Sequence, residues 1–240
     1  MNHNKLNNNH PNSSFSIRNK ILGFLIMLMI ATPVTGHAVI TQVVSGEDSK
    51  TSVLFGNGAL ATLGLEISDV TDALSGNLGP NSVAFGINSR TAMSGLSTTF
   101  TYDSLSFAPF SGSIEHTGSV FFNDNTIEVG NFTIRAADGR PDGTSGFVVE
   151  STVGLAAILF DIANPIIETF ENSLVIGADI LVSPELAGVL QNPDFAGVDA
   201  GMALVTADGS PVPIPAAAWL FMSGILGLIW KCRKADKTTA

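Results

Sequence analysis

The sequence predicts an all-β protein, a single β-sandwich or partly closed barrel of about eight to ten strands with one or two short helices near its C-terminal part. Residues 40–210 are rich in glycine, serine, threonine, asparagine and β-branched residues, and turn signals recur about every eight to twelve residues. No linker rich in proline, serine or charge divides this segment, so one fold is expected. The only cysteine, Cys232, lies outside it, so the body must rest on its own core rather than on disulfides.

The N-terminal end has the pattern of a secretory signal peptide. The apolar stretch Ile21–Ala31 follows a polar leader that contains Lys5, Arg18 and Lys20. Gly36 and Ala38 then give a small-x-small cleavage pattern. We therefore assign residues 1–38 to a signal peptide, expect cleavage after Ala38 by signal peptidase, and expect export through the general secretion machinery.

Alternating apolar residues predict the strands of the body, residues 39–210. Ser104–Phe107 alternates, and Ile114, His116, Val120 and Phe122 share one parity. After an expected turn at residues 123–125, a second run changes parity at Gly130 and Asn131, which indicates a bulge or kink.

The clearest strand signal places five apolar residues at period two, namely Leu174, Ile176, Ala178, Ile180 and Val182. Ser183-Pro184-Glu185 then predicts a helix start, and Asn192-Pro193-Asp194 is expected to stop that helix and to open a second one. Residues 206–213 are expected to be a spacer to the C-terminal segment.

The charge of the body excludes some partners. Residues 40–210 contain 20 acidic and four basic residues, a net charge of −16. Such a body repels nucleic-acid phosphates and anionic lipid, so nucleic acid is not an expected partner. The surplus of acid indicates either a solvated surface or coupling through divalent ions to an anionic exopolysaccharide.

The C-terminal segment, residues 211–240, predicts a short membrane helix with a cytoplasmic basic end. The uncharged stretch Ala216–Trp230 would be ~22 Å long as a helix, against a hydrocarbon core of ~30 Å, so it can enter a bilayer but is marginal as a permanent span. Pro215 suits the first helical position, and Trp219 and Trp230 fit the two interfacial zones. The basic residues that should remain cytoplasmic are Lys231, Arg233 and Lys234.

This segment closely resembles the PEP-CTERM sorting signal in its Val-Pro-x-Pro-Ala-Ala variant. The matching residues are Val212, Pro213, Ile214, Pro215, Ala216 and Ala217, then Trp219, Leu220 and Phe221, then Ser223, Gly224, Leu226 and Gly227, and finally the basic cluster. The resemblance covers about 25 residues. Ile214 replaces the commoner leucine, Met222 stands where glycine is frequent, and Cys232 is unusual, either an incidental thiol or a lipidation site.

The resemblance implies a route of export and a final localisation. It implies export, transient insertion in the inner membrane, recognition of the tail by a membrane enzyme called exosortase, and removal of the helix. It also implies delivery to the cell surface or extracellular matrix of a Gram-negative bacterium. No family is indicated for residues 40–210.

Two features of the body are candidate sites. His116 is the only histidine between residues 40 and 210, and its parity with Ile114 favours a packed, hydrogen-bonded histidine over a general base or metal ligand. The segment 137–143 contains two Asp-Gly pairs, at Asp138 and Asp142, which favour a tight turn and leave a calcium loop as the alternative. Arg140, between them, would compete with calcium. No catalytic residue and no cofactor is predicted beyond that alternative of Ca²⁺.

The sequence therefore predicts a surface, exopolysaccharide or biofilm protein with a structural or binding role rather than an enzyme. One alternative is a secreted glycan hydrolase, which would use paired carboxylates about 5 to 9 Å apart. A second alternative is a calcium-dependent binding module.

Overall fold

The computed structural model of the chain describes residues 39–56, 58–92, 96–170, 172–213, 220–221 and 223–225. The chain divides into two units, Met1–His37 and Ala38–Ala240, and the described residues all belong to the second. They form one antiparallel sheet of fourteen strands. The strands are β1 (Ile40–Val44), β2 (Lys50–Phe55), β3 (Ile67–Thr71), β4 (Ala73–Ser75), β5 (Val83–Gly86), β6 (Thr101–Asp103), β7 (Phe107–Ser111), β8 (Ser113–Glu115), β9 (Ser119–Phe122), β10 (Ile127–Ala136), β11 (Thr144–Gly154), β12 (Ala157–Phe170), β13 (Ser173–Val182) and β14 (Asp199–Pro211).

The helices among the described residues are short. They are α1 (Ala59–Thr62), α2 (Pro184–Val189) and a 3₁₀ turn at Pro193–Phe195, and the described residues 220–221 and 223–225 are helical as well. Ser183 caps α2, because its hydroxyl accepts a hydrogen bond from the backbone N–H of Leu186 at 2.9 Å. The predicted helix start at Ser183-Pro184 and the second, short helix at Pro193 are both confirmed.

Two long strands each divide the pairing along one of their two edges between two shorter strands. The first half of β14 pairs with β2, and its last residues pair with β1. On the other side of the sheet, β10 pairs first with β9 and then with β8. The central strands β10 to β14 therefore form a continuous meander, and each of its two outer strands, β10 and β14, pairs with two shorter strands along its outer edge.

The sheet curls until strands from its two sides meet. Ile87, just after β5, forms a bridge with His116, just after β8. Next to it, the backbone N–H of Asn88 donates to the carbonyl of Glu115 at 2.7 Å, and the N–H of His116 donates to the carbonyl of Phe132 at 2.9 Å. These bonds join the β2–β5 side to β10, so the sheet has the form of a half-barrel.

This architecture confirms the all-β prediction in its curled, partly closed form. The expected number of eight to ten strands is too low, because several of the observed strands have only three or four residues. The strand predicted around Leu174–Val182 is β13. The predicted bulge or kink is a kink at Asn131, which has a φ of +46°, because the β10–β11 register is the same on both sides of this residue. The predicted turn at residues 123–125 is also present, and all three residues have positive φ.

Two local predictions are wrong. Residues 104–106 are a turn between β6 and β7 rather than a strand, because the Asp103 carboxylate accepts hydrogen bonds from the backbone N–H groups of Leu105 and Ser106, both at 2.9 Å. Most of the expected spacer, residues 206–213, is not a linker either, since β14 continues to Pro211 and pairs with β1.

Several predicted segments lie outside the described residues. They are the signal peptide, residues 1–38 with Gly36 and Ala38, and most of the sorting signal, with Ile214, Pro215, Ala216, Ala217, Trp219, Trp230, Lys231, Cys232, Arg233 and Lys234. Val212, Pro213, Leu220 and Phe221 are described, and the Val212 N–H donates to the Ile40 carbonyl at 2.9 Å. Within the described part of the chain, no helix combines the length and the apolar character needed to span a membrane.

Candidate functional site

A large apolar cavity lies inside the curled sheet. Its volume is about 550 Å³, within the range of about 300–1,000 Å³ that is typical of small-molecule sites. Its walls come from strands on both sides of the half-barrel, from β2 and β5 to β9–β14. Protein interiors are close-packed and contain few voids larger than a water molecule, so a space of this size is not an ordinary packing defect.

Small residues in the centre of two neighbouring strands create this space. The inward stripe of β13 is Leu174, Ile176, Ala178, Ile180 and Val182, and Leu174, Ile180 and Val182 are buried. Ala178 lies directly opposite Ala203 of β14, and both alanines line the cavity. Because both side chains end at Cβ, the sheet leaves a gap there.

Water has access to the interior walls. Val53, Phe55, Phe132 and Phe160 line the cavity and pack against the buried core, yet each is only half-buried. Large apolar side chains that face the interior but retain exposure indicate an open cavity. Removing that apolar surface from water is favourable, so a bound apolar molecule would stabilise the protein.

The two short helices cover part of the cavity. Leu60 of α1 and Leu186 of α2 line it, as do Leu63, just after α1, and Val189 at the end of α2. Leu63 and Leu186 are buried, whereas Val189 is 49% exposed. The end of α2 therefore lies at the boundary between the cavity and solvent.

A buried polar pair, Thr51 and His116, also lines the cavity. The Nδ1 of His116 lies 2.9 Å from the carbonyl oxygen of Phe132, which can only accept, so Nδ1 carries the hydrogen. The Nε2 of His116 then accepts a hydrogen bond from the Thr51 hydroxyl at 2.8 Å. Burial lowers the pKa of His116 to about 4, so the imidazole is neutral near pH 7.

This pair also lies next to a second buried cluster, part of which lines the cavity as well. Ile87 and Ile114, which flank His116 at the meeting of the two sides, belong to a buried cluster that includes Val43, Phe100 and Tyr102. The prediction that His116 is a packed, hydrogen-bonded histidine is confirmed. Neither a carboxylate nor a serine bonds to its ring among the described residues, so the arrangement is not that of a Ser-His-Asp triad.

The cavity brings together few charged groups. Glu128 is the one carboxylate among the described residues that line it, and it accepts a hydrogen bond from the Ser119 hydroxyl at 2.8 Å. The paired carboxylates of a glycan hydrolase are therefore not assembled by the described walls of this cavity.

Arg140 lies in the loop for which the sequence left a calcium alternative. Its guanidinium forms a bidentate pair with Asp161, at 2.6 and 2.9 Å, and a second pair with Glu185, at 2.6 and 3.0 Å. These hydrogen bonds raise the pKa of Arg140 and lower the pKa of Glu185. The loop is thus anchored through its arginine to β12 and to the first turn of α2.

The calcium candidates Asp138 and Asp142 are both exposed. The described residues contain no group of three or more histidine, cysteine or acidic side chains that could hold a metal ion. The structure thus brings Arg140, rather than the two aspartates, into contact with other charged residues.

Sequence reasoning missed the cavity. The signal that could have indicated it is Ala178, the one small residue in the middle of an otherwise large apolar stripe. Its meaning depends on Ala203, which becomes its neighbour only through the β13–β14 register.

No protein-family model matches the chain, and neither does any curated protein. Among solved structures, the chain is similar to the C-terminal domain of HtaA from Corynebacterium glutamicum, with 14% sequence identity and a TM-score of 0.42. That similarity covers 71% of this chain and 99% of the domain. A likeness of this degree assigns neither a ligand nor an activity to this chain.

Proposed function

We propose that the protein is an exported surface or extracellular-matrix component whose body binds a hydrophobic small molecule inside the half-barrel. The observation that carries the binding role is the open apolar cavity of about 550 Å³. Of the structural and binding roles that the sequence left open, such a cavity favours binding.

The proposed export and sorting of the protein rest on sequence patterns at the two ends of the chain. The segment 1–38 has the pattern of a signal peptide, and Val212 to Lys234 resembles the PEP-CTERM signal. In this proposal, signal peptidase and an exosortase-type enzyme process the chain. After transient anchoring in the inner membrane, the body reaches the cell surface, where exopolysaccharide is a candidate neighbour.

Binding is tested with N-phenyl-1-naphthylamine, an uncharged dye whose fluorescence rises in apolar surroundings. The protein recovered from the native surface or medium is titrated with the dye, and a saturable rise with one site per chain is expected. Ala178→Phe places a ring in the cavity and should abolish the signal, with Ala203→Leu as a second filling variant. Ala136→Phe, on an exposed residue at the end of β10, is the matched control and should bind like the parent.

Circular dichroism of each variant shows whether the sheet is retained. If the dye does not bind the parent, or if folded Ala178→Phe and Ala203→Leu both bind it unchanged, the binding proposal is wrong.

Sorting is tested by intact mass spectrometry of the same recovered protein, beside a strain that lacks the sorting enzyme. A C-terminus between Pro213 and Ala216 is expected in the parent strain only. A mass that retains Trp219 to Ala240 would refute processing and leave the helix as a plain anchor.

A further inference from the structure

The charges around the cavity restrict the ligand. Resting on the proposed binding function, we infer that the cavity accepts an uncharged lipophile and rejects anionic amphiphiles such as fatty acids. A hydrocarbon chain or ring system that carries at most a hydroxyl group is the class that fits. The inference follows from what the walls contain, from the polar pair within the cavity, and from the charge of the body.

No positively charged side chain lines the cavity among the described residues. The four basic residues of the body are instead bonded elsewhere. Lys50 donates to the Ser75 carbonyl at 2.9 Å and Arg90 to the Phe100 carbonyl at 3.3 Å, while Arg135 pairs with Glu150 and Arg140 with Asp161 and Glu185. A carboxylate or sulfonate in the cavity would therefore have no cation to pair with.

The polar pair within the cavity offers no free donor to an anion. The Nδ1 hydrogen of His116 is used by the Phe132 carbonyl, and the Thr51 hydroxyl hydrogen is used by His116. What remains is acceptor capacity on the Thr51 oxygen, which can receive a hydrogen bond from a ligand hydroxyl. An anion brought to this depth would lose its hydration without replacement, which is strongly unfavourable.

The one charged lining residue, Glu128, is acidic, and the body around it has a net charge of −16. An anionic head group that remained at the cavity opening would therefore meet repulsion rather than a cation. Both orientations of an anionic amphiphile, head inward and head outward, are disfavoured, whereas an uncharged lipophile meets neither obstacle.

The test compares two dyes that differ by one charge. N-phenyl-1-naphthylamine is uncharged, and 1-anilinonaphthalene-8-sulfonate has the same ring system with an added sulfonate. On the full recovered protein at moderate salt, we expect the uncharged dye to bind at least about tenfold more tightly. Ala178→Phe establishes for each dye whether its signal comes from the cavity.

Charge-reversal variants separate the effect of a charge at a residue that lines the cavity from the effect of the net charge of the body. Glu128→Lys should raise the affinity for the sulfonate dye several-fold and leave the uncharged dye nearly unchanged. Glu168→Lys makes the same change in net charge at an exposed residue of β12 that does not line the cavity, so it should have a much smaller effect. If Glu128→Lys does not fold, Thr126→Lys places a cation at another lining position, which is exposed.

The outcomes distinguish this inference from the proposed function. Equal or tighter binding of the sulfonate dye, in a manner that Ala178→Phe abolishes, would overturn the charge selectivity and leave cavity binding intact. Equal effects of the lysine variants at 128 and 168 would show that net charge, rather than the cavity, selects the ligand. Failure of both dyes to bind would refute the binding function itself.

Discussion

At the scale of single residues, Arg140 and Asp161 form the most deeply buried ion pair among the described residues. Its side chain is only 8% exposed and that of Asp161 only 2%, whereas Glu185 is 41% exposed. The bidentate geometry satisfies both oxygens of the buried carboxylate. Arg135 and Glu150 form the contrasting case, a single contact at 2.7 Å with side chains 37% and 30% exposed.

Arg140→Ala should therefore lower the free energy of unfolding by about 3–5 kcal/mol, because it leaves the buried Asp161 carboxylate without a partner. Arg135→Ala, the matched control, should lower it by no more than about 1 kcal/mol. Urea denaturation at pH 7 measures both values. Equal effects of the two substitutions would contradict this account of the buried pair.

His116 should make the free energy of unfolding depend on pH, and the sign of that dependence follows from its lowered pKa. Its pKa is about 4 in the folded protein, below the usual value of 6.5, because burial disfavours the imidazolium. The unfolded chain therefore takes up a proton that the folded protein does not. The stability of the folded protein relative to the unfolded chain is therefore highest above pH 6.5, and part of it is lost as the pH falls from 6.5 toward 4.

The free energy of unfolding should fall by up to about 3 kcal/mol across this window, and His116→Gln should flatten the dependence. No other histidine lies between residues 40 and 210, and the lowered pKa values of Asp103 and Glu185 affect stability only from about pH 4.5 downward, at the acid end of the window. Urea titrations at pH 6.5, 5.5 and 4.5 provide the comparison. Parallel curves for parent and variant would show that His116 is not the group responsible.

At the scale of elements, α2 is held by its cap. The Ser183 hydroxyl accepts from the Leu186 N–H and donates to the Ile158 carbonyl at 2.7 Å, which ties the helix start to β12. Ser183→Ala should lower the free energy of unfolding by about 1–2 kcal/mol, since it removes a cap and leaves a buried carbonyl with one partner fewer. Asn192→Ala, at the exposed cap of the 3₁₀ turn, is the control and should have a smaller effect. Thermal unfolding of both variants tests the order.

Elements with a strong local signal could be predicted from the sequence. The period-two stripe of β13 fixes one face toward the core, and the change of parity at Gly130 and Asn131 marks a kink, at which Asn131 adopts a φ of +46°. Ser183-Pro184 is a helix start for reasons that act within four residues. Each of these depends on neighbours along the chain.

Most of what the sequence did not indicate depends on partners far away along the chain. The turn at residues 104–106 is the exception, because the Asp103 carboxylate that forms it is only two and three residues away from its donors. The cavity requires Ala178 and Ala203 to be adjacent, and the curl requires Ile87 to meet His116; neither distance along the chain nor periodicity indicates these contacts. The pairing of β14 with β1 likewise joins the two ends of the body.

At the scale of the whole molecule, the proposed processing site directly follows a structural strand. The β1–β14 ladder pairs Thr41 with Pro211 and Val44 with Asp208, and the Val212 N–H adds one further bond to Ile40. Val43, in the middle of β1, is fully buried in the second core cluster. The motif Val212–Pro213 is therefore continuous with the fold, and cleavage at Pro213–Ala216 would leave every one of these contacts in place.

An exported chain that ends at Pro213 should accordingly unfold at the same urea concentration as the protein recovered from the surface. A chain that ends at Ala207 lacks the strand that pairs with β1, so it should lose at least about 3 kcal/mol through the broken ladder and the exposure of Val43. Equal stability of the two truncated chains would mean that residues 208–211 act as a spacer after all. That contrast would give a physical reason for the place of the proposed sorting motif, because cleavage even a few residues earlier would remove part of the strand that closes the body.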